Sequence, residues 1–70
     1  MDFVYVDSSN VEQIGYDPEW SQLEVIFKNG SHYVYSDVPA DVWHAFLNAP
    51  SKGAYLNNVI KKGGYPYRRT

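Results

Sequence analysis

The dipeptide Asn29-Gly30 lies between two short runs of strand-forming residues, and this arrangement is the strongest short-range signal for a β-hairpin. Residues 22–27 alternate between the two faces of a strand, and the apolar face carries Leu23, Val25 and Phe27. A period of two is typical of a half-buried strand. Ile26 is the one apolar residue on the opposite face. The sequence therefore predicts strands over residues 22–27 and 31–36, joined by a tight turn.

The length of the hairpin loop decides which face of the sheet carries Tyr33 and Tyr35. A two-residue loop puts both tyrosines on the polar face. A three-residue loop at residues 28–30, with its glycine in the left-handed conformation, places them opposite Leu23 and Val25. We favour the longer loop because helices can then cover one continuous apolar surface, at roughly 25 cal/mol per Å² of buried apolar area. On that interpretation the two tyrosines belong mainly to the core.

The rest of the chain predicts further strands and two helices. Residues 11–16 suit a strand that ends at Asp17-Pro18, and residues 3–6 suit an additional one. Beyond residue 38 the apolar spacing changes to three and four, which predicts one helix from Pro39 to Asn48 and a second one after the capping residue Ser51. Gly63 is expected to end the second helix in the left-handed conformation.

These elements predict one α+β domain over residues 1–70. It is a three- to four-stranded antiparallel β-meander, followed by two C-terminal α-helices that pack on one face of the sheet. Residues 62–70 are expected to form an extended tail, because Pro66 prevents a helix there. A chain of 70 residues buries a small core, and its stability should be marginal.

The composition excludes several classes of function. With no cysteine, the chain has no disulfide framework, thiolate nucleophile or cysteine-ligated metal. No segment resembles a secretion signal or the roughly 18 apolar residues of a membrane span, so we expect a cytoplasmic protein without a membrane partner. His32 and His44 fit no metal-ligand spacing, and Asp37 and Asp41 suit the start of a helix. We therefore expect no enzyme activity, no metal and no cofactor.

Charge is distributed unevenly along the chain, and this favours binding to an anionic partner. Residues 1–41 carry all eight acids and one lysine, whereas residues 42–70 carry five cations and no acid. Cations that interleave with aromatic side chains are typical of sites that hold phosphates and stack bases. The candidate RNA-binding residues are Lys52, Lys61, Lys62, Tyr65, Tyr67, Arg68 and Arg69. In the alternative interpretation, Tyr65 and Tyr67 fold the tail over the core as a cover.

The order of several short motifs identifies a resemblance to a known family. These are Ile14-Gly15-Tyr16-Asp17, Leu23 to Phe27 with Asn29-Gly30, Tyr33-Val34-Tyr35, Val38-Pro39, Leu47 to Gly53 with Tyr55, and Tyr65-Pro66-Tyr67. From Ser8 to Arg68 the chain resembles the KTSC domain, named for the C-terminal extension of some lysyl-tRNA synthetases. The family occurs largely as short bacterial proteins, and its hallmark Tyr-x-Tyr falls on Tyr33 and Tyr35.

The resemblance implies a fold more firmly than a function. The family's association with synthetases suggests that it binds RNA, either tRNA or single-stranded RNA. We therefore expect a non-catalytic RNA-binding module. The alternative is a protein–protein interaction domain that uses exposed aromatic residues or a free sheet edge.

Overall fold

A five-stranded antiparallel sheet organises the chain, and helical segments cover one of its faces. The computed structural model describes residues 2–70. The strands are β1 (Asp2–Tyr5), β2 (Val11–Asp17), β3 (Gln22–Phe27), β4 (His32–Tyr35) and β5 (Tyr67–Arg69), and they lie in the sheet in chain order. Between β4 and β5 lie the helices α1 (Ala40–Asn48) and α2 (Lys52–Tyr55), and α2 continues directly into a π-helix at Leu56–Lys61. None of the helices in residues 2–70 is long and apolar enough to cross a membrane.

The hairpin between β3 and β4 has the three-residue loop favoured from the sequence. Leu23 pairs with Tyr35 and Val25 pairs with Tyr33. The amide of Gly30 donates a hydrogen bond to the carbonyl of Phe27 at 2.9 Å, and Gly30 has a φ of +91°. This is a tight turn followed by one left-handed residue, for which glycine has no steric cost. Both tyrosines consequently lie on the face of the sheet that the helices cover.

The core lies between this face and the helices. Phe46 of α1 is fully buried, and its ring stacks on Tyr55 with centroids 5.3 Å apart. The Tyr16 hydroxyl donates a hydrogen bond to the carbonyl of Val38 at 2.6 Å, which fixes the segment that leads into α1. The buried cluster consists of Val11, Ile14, Tyr16, Leu23, Val25, Tyr35, Val38, Phe46, Leu56 and Ile60.

The helix termini differ in detail from the sequence prediction. Ser51 caps α2 as predicted, because its hydroxyl accepts a hydrogen bond from the amide of Ala54 at 3.2 Å. Pro39 is the N-cap of α1 rather than its first helical residue, since its ψ of 153° is extended. Gly63 was wrongly expected to be left-handed, whereas Gly64 has the positive φ, +76°. A Cβ at Gly63 would instead lie 2.5 Å from the carbonyl oxygen of Val59, so close packing requires a glycine there.

Two elements were not predicted. Residues 56–61 are π-helical, and Leu56 and Ile60 within this segment are buried. The tail predicted over 62–70 is indeed extended at Tyr67–Arg69, but it pairs with β4 as a fifth strand. The prediction of a three- to four-stranded sheet that ends before the helices was therefore wrong in its strand count. The α+β class with an antiparallel sheet and helices on one face was right.

Candidate functional site

A pocket of about 420 Å³ lies beside β4 and β5, at one edge of the sheet. Its lining comes from these two strands, from the last residue of the π-helix and from the segment that follows it. The lining residues are Tyr33, Tyr35, Lys61, Gly64, Tyr65 and Tyr67. Pockets of roughly 300–1,000 Å³ with apolar walls and few polar groups are the usual form of ligand sites. We call this site the tyrosine pocket.

The pairing of β4 with β5 explains why these side chains converge. The amide of Ser36 donates to the carbonyl of Pro66, and the amide of Thr70 donates to that of His32. Hydrogen-bonded and non-hydrogen-bonded pairs alternate in an antiparallel ladder. The pairs Tyr35–Tyr67 and Tyr33–Arg69 are therefore non-hydrogen-bonded pairs. Side chains approach most closely at such pairs. The register therefore brings Tyr67 and Arg69 directly beside the family hallmark.

The rings of the pocket lie at contact distance from one another. The centroid of Tyr67 is 5.7 Å from that of Tyr35 and 6.1 Å from that of Tyr33, with the ring planes tilted. Tyr35 is buried, at 4% exposure, whereas Tyr67 is 67% exposed and Tyr33 is half-buried. Burial of the side chains thus decreases from Tyr35 to Tyr67, and the outer rings have faces that a planar ligand could reach.

The hydroxyl groups of the tyrosine pocket differ from those of Tyr16 and Tyr55 in their hydrogen bonding. Tyr16 and Tyr55 both donate to backbone carbonyls, of Val38 and Val42 respectively. Within the described residues, the four pocket hydroxyls form no hydrogen bond with the protein; they belong to Tyr33, Tyr35, Tyr65 and Tyr67. They are therefore free to donate to, or accept from, a bound molecule.

Burial raises the pKa of the Tyr35 hydroxyl above its usual value, and the neighbouring Tyr33 and Tyr67 raise it further. The ordinary tyrosine pKa of about 10 already keeps the group protonated at neutral pH. The inner end of the pocket therefore presents a neutral hydroxyl donor rather than a negative charge.

Two exposed cations border the tyrosine pocket. Nζ of Lys61 lies 5.8 Å from the ring centroid of Phe27, and Cζ of Arg69 lies 6.0 Å from that of Tyr33. Cations at this distance from an aromatic face are attracted to it and gain a preferred position. Both residues are exposed, and the Arg69 guanidinium also donates a hydrogen bond to Oγ of Ser31 at 3.4 Å, so each cation lies at the surface where a phosphate could approach it.

The other predicted RNA-binding residues lie elsewhere. Arg68 pairs with Val34 and so projects from the sheet face opposite to the pocket. Nζ of Lys52 donates to the carbonyl of Ala49 at 2.6 Å, and this residue lines a separate polar cleft near Ser8 and Asn10. Lys62 is exposed and does not line the pocket. The structure therefore brings together Lys61, Tyr65, Tyr67 and Arg69, but not the whole predicted set.

From the sequence, Tyr33 and Tyr35 were predicted to belong mainly to the core. Tyr35 is buried in it, and Tyr33 is half-buried and packs against it, on a strand that pairs with the edge strand β5. One signal in the sequence could have linked the two regions. Tyr33 and Tyr35 are two residues apart, as are Tyr65 and Tyr67, and a spacing of two puts side chains on one face of an extended chain.

The two histidines and the acids Asp37 and Asp41 lie outside the tyrosine pocket. Nε2 of His32 lies 2.8 Å from Oε1 of Glu24 on the open face of the sheet, and His44 is exposed on α1. Asp37 has a left-handed φ of 59° in the link to α1, and Asp41 lies in the first turn of that helix. Within residues 2–70, no three histidine or carboxylate side chains come close enough together to hold a metal ion.

A five-stranded meander with helices inserted before its last strand, and a tyrosine pocket beside that strand, define a small α+β domain. The model of the KTSC domain family matches residues 7–65, and the chain belongs to this family. The chain is similar to a KTSC domain protein from Yersinia pestis of solved structure, with a TM-score of 0.89 and 37% identity over 99% of this chain and 96% of the other.

Two further relatives differ greatly in length. An uncharacterised protein from Stutzerimonas stutzeri is 44% identical over 94% of this chain and 93% of its own. A lysine–tRNA ligase from Nostoc punctiforme is 38% identical over 79% of this chain, but the match covers only 10% of the ligase. The same domain thus stands alone in some proteins and forms a small part of others.

Proposed function

We propose that this protein is a non-catalytic module that binds RNA, with one base in the tyrosine pocket and the adjoining phosphates on Lys61 and Arg69. The observation that carries the proposal is the convergence of four tyrosines and two exposed cations beside β4 and β5, at one edge of the sheet. Single-stranded nucleic acids are held by this combination, because every base has a face that can stack and every phosphate is anionic.

The similarity to lysine–tRNA ligases supports the proposal. Those relatives act on a tRNA by name, and the matched segment is about a tenth of the Nostoc punctiforme ligase. If the segment shared with the ligases contacts RNA in this protein, a site among the described residues must provide that contact. The tyrosine pocket is such a site, and the local positive charge around it compensates for a net charge of −2.

Two adjacent arginines provide a matched test. Arg69 lies beside the tyrosine pocket and Arg68 projects from the opposite face, so Arg69→Glu and Arg68→Glu change the net charge equally. Fluorescence anisotropy with a labelled single-stranded RNA and with a tRNA, at low salt, should show at least about a tenfold loss of affinity for Arg69→Glu. The loss for Arg68→Glu should be several times smaller.

A ring-deletion variant tests the aromatic half of the proposal. Tyr67→Ala should weaken RNA binding by about five- to 150-fold, since stacking on one aromatic side chain contributes about 1–3 kcal/mol per base. Trp20→Ala, which removes another exposed ring that does not line the tyrosine pocket, is the control. If the wild-type protein does not bind RNA, or if both arginine variants bind it equally well, the proposal is wrong.

A second candidate is a module that binds an extended peptide, and one feature of β5 favours it. The hydrogen-bonding pattern with β4 leaves the backbone N–H and C=O groups of Tyr67 and Arg69 facing away from the sheet. A strand added at this edge would gain main-chain hydrogen bonds and could place one side chain in the tyrosine pocket. Nuclease treatment separates the candidates, because it removes RNA-mediated partners from a lysate and leaves peptide-mediated ones.

A further inference from the structure

The other edge of the sheet, β1, carries three consecutive large apolar residues that are accessible to solvent. Phe3 is 36% exposed, Val4 is 43% exposed and Tyr5 is 75% exposed. Natural proteins normally protect an edge strand with charges, prolines or a covering segment, because an apolar free edge invites pairing with another strand. Residues 3–5 contain none of these protections.

The hydrogen bonds of β1 show which backbone groups are free. The amide of Val6 donates to the carbonyl of Glu12 at 3.1 Å, and Val4 pairs with Ile14 in the same register. Alternation along the ladder then leaves the N–H and C=O groups of Phe3 and Tyr5 facing outward. These two residues also direct their side chains to the open face of the sheet, since they pair with Gly15 and Gln13 rather than with core positions.

We infer that β1 is a self-association surface whose partner is the β1 strand of a second copy of this chain. An antiparallel pairing centred on Val4 places Val4 opposite its counterpart and Phe3 opposite Tyr5 of the other copy. All four outward backbone groups of each strand then have partners, in two hydrogen-bonded Phe3–Tyr5 pairs. Aromatic pairs opposite one another contribute roughly 0.2–1 kcal/mol each in a sheet, and a twofold interface is the commonest in homo-oligomers.

An antiparallel pairing of β5 with the β5 strand of a second copy is unfavourable. Pairing β5 with itself about its central residue would put Arg68 opposite Arg68 of the second copy, and like charges directly opposite destabilise a sheet. A head-to-tail pairing of β1 with β5 would place apolar residues beside arginines and would leave a free edge at each end, so that assembly would not stop at two copies. Only the β1–β1 pairing is both closed and free of facing like charges.

The area available sets the strength of the association. The exposed parts of the three β1 residues amount to roughly 300 Å² per copy, or about 600 Å² in a pair, if a large side chain buries about 150–250 Å² when fully covered. Stable interfaces bury at least about 1,000–1,200 Å². The dimer is therefore weak, and it should become populated at high micromolar concentration.

The test is a concentration series of the untagged protein by sedimentation equilibrium, from about 20 µM to about 1 mM, the range expected of a weak interface. The average mass should rise from 8.0 kDa toward twice that value. Val4→Lys puts two lysines opposite each other at the axis, and Tyr5→Pro removes an outward N–H that the fold does not use. Both variants should remain monomeric over the whole range.

Two controls distinguish this association from general stickiness and from misfolding. Trp20→Ala removes an equally exposed aromatic residue outside β1 and should associate as the wild type does. Far-ultraviolet circular dichroism and thermal melts should show that the β1 variants are folded. A wild-type mass that stays at 8.0 kDa, a mass that grows beyond two copies, or association unaffected by folded Val4→Lys protein would each overturn the inference.

Discussion

The two edges of the sheet have the same backbone geometry and opposite chemistry. In both β1 and β5, alternate residues direct their N–H and C=O groups away from the sheet. At β1 those residues are Phe3 and Tyr5, whereas at β5 they are Tyr67 and Arg69. An unpaired strand therefore does not by itself define a partner. On the two proposals made above, the side chains beside the free backbone groups distinguish an edge that pairs with a second copy from an edge that binds an anionic ligand.

Both edges also lie outside the segment that defines the family. The match to the KTSC model covers residues 7–65, which leaves out β1 and β5 entirely. Four of the five side chains that wall the tyrosine pocket are within the match, and Tyr67 is outside it. The family segment therefore supplies most of the pocket, and the terminal strand completes it.

The largest expected effect is a loss of stability from a substitution that lies near β5 and not near β1. Gly63→Ala would place a Cβ 2.5 Å from the carbonyl oxygen of Val59 and 2.6 Å from the ring of Tyr65. Since a backbone oxygen cannot move cheaply, we expect about 1–3 kcal/mol of destabilisation in urea unfolding, together with displacement of Tyr65. RNA binding should weaken, and self-association through β1 should persist.

Gly53→Ala is the matched control for this variant. Its Cβ would lie 3.2 Å from Oδ1 of Asn10, a side-chain atom that can move by a few tenths of an ångström. Unfolding that is as strongly affected by Gly53→Ala as by Gly63→Ala would mean that loss of a glycine, rather than the contact with Val59, causes the effect.

Salt should act on the two edges differently. If Lys61 and Arg69 contact two phosphates, the affinity for single-stranded RNA should fall about sevenfold between about 50 and 200 mM salt, from a logarithmic slope near −1.4. Association through β1 pairs no charges and should change by less than about twofold. Anisotropy and sedimentation at matched salt concentrations provide the comparison, and a parallel response of both properties would contradict it.

The smallest effect concerns stability at alkaline pH. The pKa of Tyr35 is raised in the folded protein, so the unfolded chain loses this proton first as the pH increases. Stability from this group is complete below the unfolded pKa of about 10 and is lost as the pH rises through the folded value. Urea unfolding across this range should show a shallower decline for Tyr35→Phe than for the wild type.

Tyr5→Phe removes one hydroxyl from the opposite edge and serves as the control for the alkaline series. The stability of this variant should decline with rising pH as that of the wild type does, because the tyrosine pocket is unchanged. A Tyr35→Phe protein that declines as steeply as both others would show that burial of this hydroxyl does not contribute to alkaline unfolding.

The sequence predicted the hairpin well because its determinants are local. Alternation over residues 22–27 and the glycine at position 30 locate the hairpin locally, and the choice between its two registers needed only the further expectation that helices cover one face. Strand β5 was missed because three residues after a proline carry no period, and their pairing depends on β4. The π-helix was missed because Leu56 and Ile60, four residues apart, share a face in an α-helix as well, so their spacing does not report the wider turn.

The candidate site could be predicted only in part. Composition identified the basic and aromatic C-terminal region, and within it Lys61, Tyr65, Tyr67 and Arg69 border the tyrosine pocket. Which sheet face each of Arg68 and Arg69 occupies depends on the register with β4, and no periodic pattern in the sequence reports it. Tyr33 and Tyr35 were predicted from the hairpin register as core residues, and the pairing with β5 adds that both also line the pocket.

The pairing of β4 with β5 has a consequence for how the molecule opens. It is the only strand pairing in the described sheet that joins segments separated by both helical regions, so its loop-closure entropy is the largest. No residue of β5 belongs to the buried cluster. We therefore expect release of this strand to dismantle the tyrosine pocket while the other four strands and the core persist, at a lower free energy than global unfolding.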